Sequence, residues 1–137
     1  MLTLCGFDGI ELQCSHSSIV RGFLSPATNH RTDEYGGDVK RRAKFMTDIV
    51  RDCRREVGPD VPIIIRLCGD ELLHDRGGNT TEESLEVIKL AEAAGADCLS
   101  VTAGWQATEL GDVAGPTVFA TTDRSLVPDY TLGITMK

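Results

Sequence analysis

Helix-period and strand-period segments alternate along this chain, and the order strand, helix, strand, helix, strand predicts an α/β fold with parallel strands and right-handed crossovers. Three observations carry that expectation. Val61 to Cys68 reads VPIIIRLC, a nearly continuous β-branched run of the kind a strand buried on both faces shows. Apolar residues recur at three- and four-residue intervals from Val39 to Val57 and again after Thr80. Glycine, proline and asparagine punctuate the joints between these segments.

Taken in order, GFDGIELQ from Gly6 to Gln13 sets Phe7, Ile10 and Leu12 among small and polar residues, as a short strand does, and breaks at Ser15-His16-Ser17-Ser18. A long loop from Phe23 to Gly37 follows, carrying Pro26, Asn29, Asp33 and Gly36-Gly37, residues that preset φ or tolerate positive φ. Asp38 caps the first helix, whose stripe is Val39, Arg42/Ala43, Met46, Ile49/Val50, Cys53 and Val57 until Gly58-Pro59 stops it. The second strand, from Val61 to Cys68, leaves into Gly69-Asp70-Glu71. Thr80 with Glu83 three residues on forms a capping box for the second helix, with Leu85, Ile88 and Ala91 expected inward and Gly95 closing it. Ala96 to Thr102 is the third strand. Residues 104–137 carry Gly, Pro, Thr and Asp with only short apolar runs, and no element is assigned to them.

The 137 residues, 41% hydrophobic and 26% charged, suffice for one core, and no internal repeat or low-complexity linker divides them. No run approaches the roughly 20 apolar residues of a membrane span, and no signal peptide is visible, so a soluble cytoplasmic protein without a membrane partner is expected. Fourteen Lys and Arg against twenty-one Asp and Glu leave a net charge of −7, which argues against nucleic acid as partner. The basic residues Lys40, Arg41, Arg42, Lys44, Arg51, Arg54 and Arg55 on the first helix lack interleaved aromatics and read as a solvated face. Five cysteines, an odd number with no CxxC spacing, suggest buried, reduced thiols and no metal site.

Ligands in parallel α/β folds collect at the carboxyl ends of strands, which selects Gln13 and His16, Arg66 and Asp70, Thr102 and Trp105. Arg66 is the sharpest of these, because a guanidinium at the end of an Ile-rich strand is expensive unless an anion or several acceptors meet it; a structural salt bridge is the competing reading. His16 could bind a substrate or simply hydrogen-bond its own loop. Asp70-Glu71 and His74-Asp75 lie in a polar loop with Gly77-Gly78 and read as solvated.

Four strings, GFDGIELQCSH, FLSPATNHRTDEYGG, IIIRLCGDE and EAAGADCLSVTAG, resemble in this order and at these distances the FMN-dependent Old Yellow Enzyme family, also called NADH:flavin oxidoreductases. The resemblance covers residues 5 to 103. It implies a TIM (β/α)8 barrel of which this chain supplies a middle fragment, residues 1–103, with about three parallel strands, the fourth to sixth, and the helices between. The tail, 104–137, diverges. It also implies FMN as cofactor, NAD(P)H as reductant and a small organic substrate exchanging a hydride with the flavin. Arg66 matches the arginine at the flavin's N1 and C2 carbonyl, where a fixed positive charge stabilises the anionic reduced ring. Gln13 and His16 match the pair that hydrogen-bonds the substrate over the flavin, where most relatives carry His or Tyr and then His or Asn.

Two departures stand out. Ser18 occupies the place where ene reductases put a proton-donating Tyr, and a serine hydroxyl is a far poorer acid than a phenol. At the first helix, relatives read Ser-x-Glu-Asn-Arg and this chain reads Asp38-Val39-Lys40-Arg41-Arg42; the cap and the arginine survive while the capping-box Glu is lost, at well under about 1 kcal/mol. The family's phosphate loops follow its seventh and eighth strands, outside the matched region. A second expectation follows, from a different class: a non-catalytic fragment or half-barrel subunit that needs a partner chain, with open sheet edges prone to self-association.

Overall fold

The computed structural model describes residues 6–15 and 18–104, His74 without its side chain, and the backbone of 132–135. The elements are β1 (Ile10–Gln13), α1 (Ile19–Leu24), α2 (Val39–Val57), β2 (Ile63–Asp70), a 3-10 turn (His74–Arg76), α3 (Thr81–Ala94), β3 (Cys98–Ala103) and β4 (Leu132–Thr135). β1, β2 and β3 are parallel and adjacent in sequence order, and β4 adds to β3 antiparallel. Parallel neighbours in chain order with helical crossovers are the plan of a section of a (β/α)8 barrel, a partial TIM barrel. The antiparallel β4 departs from that plan and occupies the outer edge of β3, an edge expected to be open.

Strand alternation decides which side chains meet the helices. Ile10 and Leu12 of β1, Ile63, Ile65 and Leu67 of β2, and Leu99 and Val101 of β3 join Val20, Leu24, Ala43, Met46, Val50, Val87 and Ala91 in one core. Each such aliphatic chain contributes about 1.5–3 kcal/mol by leaving water. α2 runs as its pattern predicts: Asp38 Oδ1 accepts from Arg41 N, and Gly58 ends it. α3 has its capping box of Thr80 and Glu83, and Gly95 closes it at φ 111°, a left-handed position that favours glycine.

The buried stripe of α3 differs from the expected one. Ser84, Val87, Ala91 and Ala94 face inward while Leu85 is 52% exposed. Ser84 Oγ donates to the Cys68 carbonyl at 3.1 Å, which turns that residue toward β2 and rotates Leu85 out to solvent. α1 was not expected; it fills the segment between Ser18 and the long loop and takes in that loop's first two residues, and Ser18 Oγ caps it by accepting from Arg21 N at 3.1 Å.

The loop string from Phe23 to Gly37 is held by its own residues. Asn29 Nδ2 donates to the carbonyls of Phe23 at 2.6 Å and Tyr35 at 2.7 Å, and Phe23 stacks on Phe45 with centroids 4.4 Å apart. A Cβ on Gly36 would lie 2.0 Å from the Arg31 carbonyl oxygen, so only glycine fits there. That string therefore specifies a fold, whatever chemistry sits elsewhere.

Two arginines expected on the solvated basic face are structural. Arg42, 6% exposed, donates to the carbonyls of Leu24 (2.9 Å) and Gly37 (2.6 Å), to Asn79 Oδ1 (3.3 Å) and to Glu83 (2.7 Å). Arg54 spans the amino ends of the strands, donating to the carbonyls of Gly95, Gly58 and Val61 and pairing with Asp97, whose carboxylate also accepts from Ile63 N at 2.8 Å. Donor-rich, planar guanidinium can close several carbonyls at once, which an ammonium cannot.

Candidate functional site

The carboxyl ends of the strands are stapled together beneath the loops by an ion pair. Glu71, expected to be solvated, is 1% exposed: its Oε1 accepts from Arg21 Nε at 2.9 Å, and its Oε2 from Ser25 Oγ at 2.7 Å and from Asn79 N at 2.8 Å. Asn79 also reaches the Leu24 carbonyl at 3.2 Å and Arg42. This cluster ties α1, α2, the loop after β2 and the start of α3, so the platform above the strands is fixed by a carboxylate whose acceptors are filled. Asp70 is tied up as well, accepting from Leu72 N at 2.7 Å and from Thr81 Oγ1 at 3.0 Å.

The sheet's other face is different. In-register pairing sets Gln13 beside Arg66 and Arg66 beside Ser100, with Gly133 of β4 as the fourth place on the same rung. These positions alternate with the core residues and so project away from the helices. Among the described residues, neither the Arg66 guanidinium nor Ser100 Oγ has a hydrogen-bond partner, and Ser100 is only 6% exposed. A buried hydroxyl left unsatisfied costs about 1–3 kcal/mol. Gln13 has folded its carbonyl back, Oε1 accepting from Ser15 N at 3.1 Å and Ser15 Oγ at 2.8 Å, which leaves its amide NH2 as the group available to donate.

The structure thus brings Gln13 and Arg66, chosen from the sequence, onto one rung. His16 and Trp105 lie outside the described residues. Thr102 spends its hydroxyl on the Leu67 carbonyl at 3.4 Å. No salt bridge of Arg66 is found among the described residues. Sequence reasoning missed Ser100; the signal was a serine between the core-facing Leu99 and Val101, and only the register shows which residue it accompanies.

Cys14, Cys53, Cys68 and Cys98 are free thiols. Burial pushes the Cys14 thiol up to about 12 and, outweighing the nearby Arg21 charge, the Cys68 thiol up to about 11. Both are poor nucleophiles at neutral pH. Among the described residues no three His, Cys, Asp or Glu side chains gather to hold a metal, and no helix is long and apolar enough to cross a membrane.

Comparison with known proteins bears on the family and the fold. The model of the NADH:flavin oxidoreductase / NADH oxidase family matches residues 2–124. An NADH oxidase of Thermoanaerobacter brockii is 45% identical over 98 residues, covering 72% of this chain and 15% of the relative. An NADPH dehydrogenase of Listeria monocytogenes is 37% identical over 99 residues, covering 72% of this chain and 28% of the relative. A solved 2-naphthoyl-CoA reductase superposes with a TM-score of 0.71 at 40% identity, covering 75% of this chain and 16% of that one. An old yellow enzyme homologue from Zymomonas mobilis shares the fold, with a TM-score of 0.63 at 23% identity over 73% of this chain and 28% of that one. The chain therefore spans only 15% to 28% of the length of these relatives. With the family model matched along most of its length and the parallel strands in barrel order, this chain belongs to the NADH:flavin oxidoreductase / NADH oxidase family.

Proposed function

We propose that this chain forms the flavin- and substrate-facing part of an FMN-dependent oxidoreductase that passes a hydride between NAD(P)H, FMN and a small organic substrate. The observation that carries the reading is the rung of Gln13, Arg66 and Ser100, which sets the Gln13 amide NH2, the Arg66 guanidinium and the Ser100 hydroxyl side by side, without partners among the described residues, on the face opposite the helices. That donor set fits the polar edge of a flavin, where ring nitrogen and carbonyl oxygen present acceptors side by side, the arrangement a guanidinium fork matches. FMN, when bound, supplies the ring that accepts and releases the hydride.

The chain's own residues then bind and orient. Arg66 would hold the flavin and, as a charge that never leaves, would supply fixed positive charge beside it. Gln13, with its carbonyl committed to Ser15, offers its NH2 to a substrate carbonyl. His16, by the family resemblance, is the second member of that pair. Ser18 caps α1 and is assigned no proton delivery. NAD(P)H as reductant is supported by relatives named NADH oxidase and NADPH dehydrogenase. Free thiols support a reducing compartment such as the cytoplasm.

A second reading, that the flavin site is completed by a partner chain or a second copy, is favoured by β1, which among the described residues has a neighbour on one side only.

The test is a titration of the purified 137-residue chain with FMN, followed by flavin fluorescence alongside light-scattering mass. Saturable binding that weakens about tenfold or more in Arg66→Ala, with partial recovery in Arg66→Lys, is the expected result. Binding at equal strength by wild type and Arg66→Ala removes Arg66 from the site. Binding only by a dimer favours the second reading.

A further inference from the structure

We propose that Ser100 is a positioning residue for Arg66, its hydroxyl accepting the guanidinium Nε–H and so aiming the outer fork at the ligand. The inference rests on the flavin reading above and adds to it a residue that acts through Arg66. Both halves of this hydrogen bond stand unmade on one rung: Ser100 Oγ is buried without a partner, and Arg66, directly in register on the adjacent strand, has none among the described residues.

Among the described residues, the other strand neighbours have nothing to give. Gly133, in register on the far side, has no side chain to offer. Thr102, two residues along β3, has committed its hydroxyl to the Leu67 carbonyl, and Gln13 sits two strands away with its carbonyl on Ser15. Arg66 is thus the adjacent residue on the rung with donors to give. A serine hydroxyl on a one-carbon stem stays close to its strand, so what it meets is the inner Nε–H of a neighbouring arginine and not a ligand lying beyond the fork. With Nε–H held, the two terminal NH2 groups present a bidentate pair in a fixed plane, and less rotamer entropy remains to be lost when an acceptor edge docks.

The decisive experiment uses the full 137-residue chain with arginine side chains labelled by nitrogen-15, FMN as the probe, and Arg66→Ala to assign the Arg66 Nε–H signal. In the wild-type complex that signal should be sharp and slow to exchange. Ser100→Ala should lose this protection and weaken FMN binding about three- to tenfold, and Ser100→Thr, which restores the hydroxyl, should recover both. Melting of the ligand-free protein is the control for a merely structural role: Ser100→Ala should leave it unchanged or raise it, because an unpartnered buried hydroxyl is removed, whereas a structural hydroxyl would lower it. A Ser100→Ala protein that binds FMN at wild-type strength with Arg66 Nε–H still protected overturns this inference alone. A wild-type chain that binds no FMN, or an Arg66→Ala chain that binds it normally, overturns the flavin reading and this inference with it.

Discussion

The two faces of the sheet handle polar groups in opposite ways. On the helix-covered side and along its rims, each buried charge meets partners: Glu71 has Arg21 Nε, Ser25 and the Asn79 amide, Arg42 closes two carbonyls, a carboxylate and an amide, and Arg54 clasps three carbonyls and Asp97. On the opposite face Arg66 and Ser100 stand without partners among the described residues. A fold tolerates unmade hydrogen bonds only at a cost, so donors left over on one rung are the contrast that the proposed flavin site rests on.

Breaking the paired side should have the largest effect. Glu71→Gln leaves the Arg21 charge buried without its carboxylate and should cost about 3–5 kcal/mol, read from urea denaturation. Next comes alkaline pH. The unfolded chain releases its thiol protons near 9.0, while burial keeps Cys14 protonated up to about 12 and Cys68 up to about 11. From pH 9 upward the folded state therefore holds more protons than the unfolded one, so stability that is full below pH 9 falls as pH rises. The slope approaches about 1.4 kcal/mol per pH unit for each thiol. Urea midpoints at pH 8 and pH 10 should show this decline, and Cys14→Ala should flatten it whatever the variant's stability at pH 8. Ser18→Ala removes the α1 cap and should cost about 1 kcal/mol in the same assay. Arg66→Ala should change stability least, within about 0.5 kcal/mol, because it breaks no bond the described residues make. A large loss there would move Arg66 to the paired side and erase the contrast between the faces.

Much of the fold was legible along the chain because its causes are local. Asp38, Gly58, Thr80, Glu83 and Gly95 begin and end their helices through hydrogen bonds to backbone within four residues, so capping residues announce themselves. β2 was legible because Ile63, Ile64, Ile65 and Leu67 make a nearly continuous apolar run, interrupted only by Arg66. Its bounds still shifted, from Val61–Cys68 to Ile63–Asp70, as the ladder to β3 decides where pairing stops. Leu85 was misplaced because the helical period fixes a spacing but not a rotation, and rotation was set by Ser84 reaching the Cys68 carbonyl.

The site divides in the same way. Gln13 and Arg66 could be selected from the sequence, since a polar residue ending an apolar strand has a known place in parallel sheets. Glu71 could not, because its partners Arg21, Ser25 and Asn79 lie up to 50 residues away and a carboxylate in a polar loop looks solvated until they close on it. Ser100 was hidden for a related reason: a lone serine in a strand signals nothing until register seats it beside Arg66. The sequence by itself determined the alternation of strands and helices, their caps and the family. Only the tertiary structure decided that β4 runs antiparallel on β3, that Arg42 and Glu71 are buried, and that Gln13, Arg66 and Ser100 share a rung. Caps and periods are written in neighbouring residues, whereas register and charge burial are fixed only when distant segments meet.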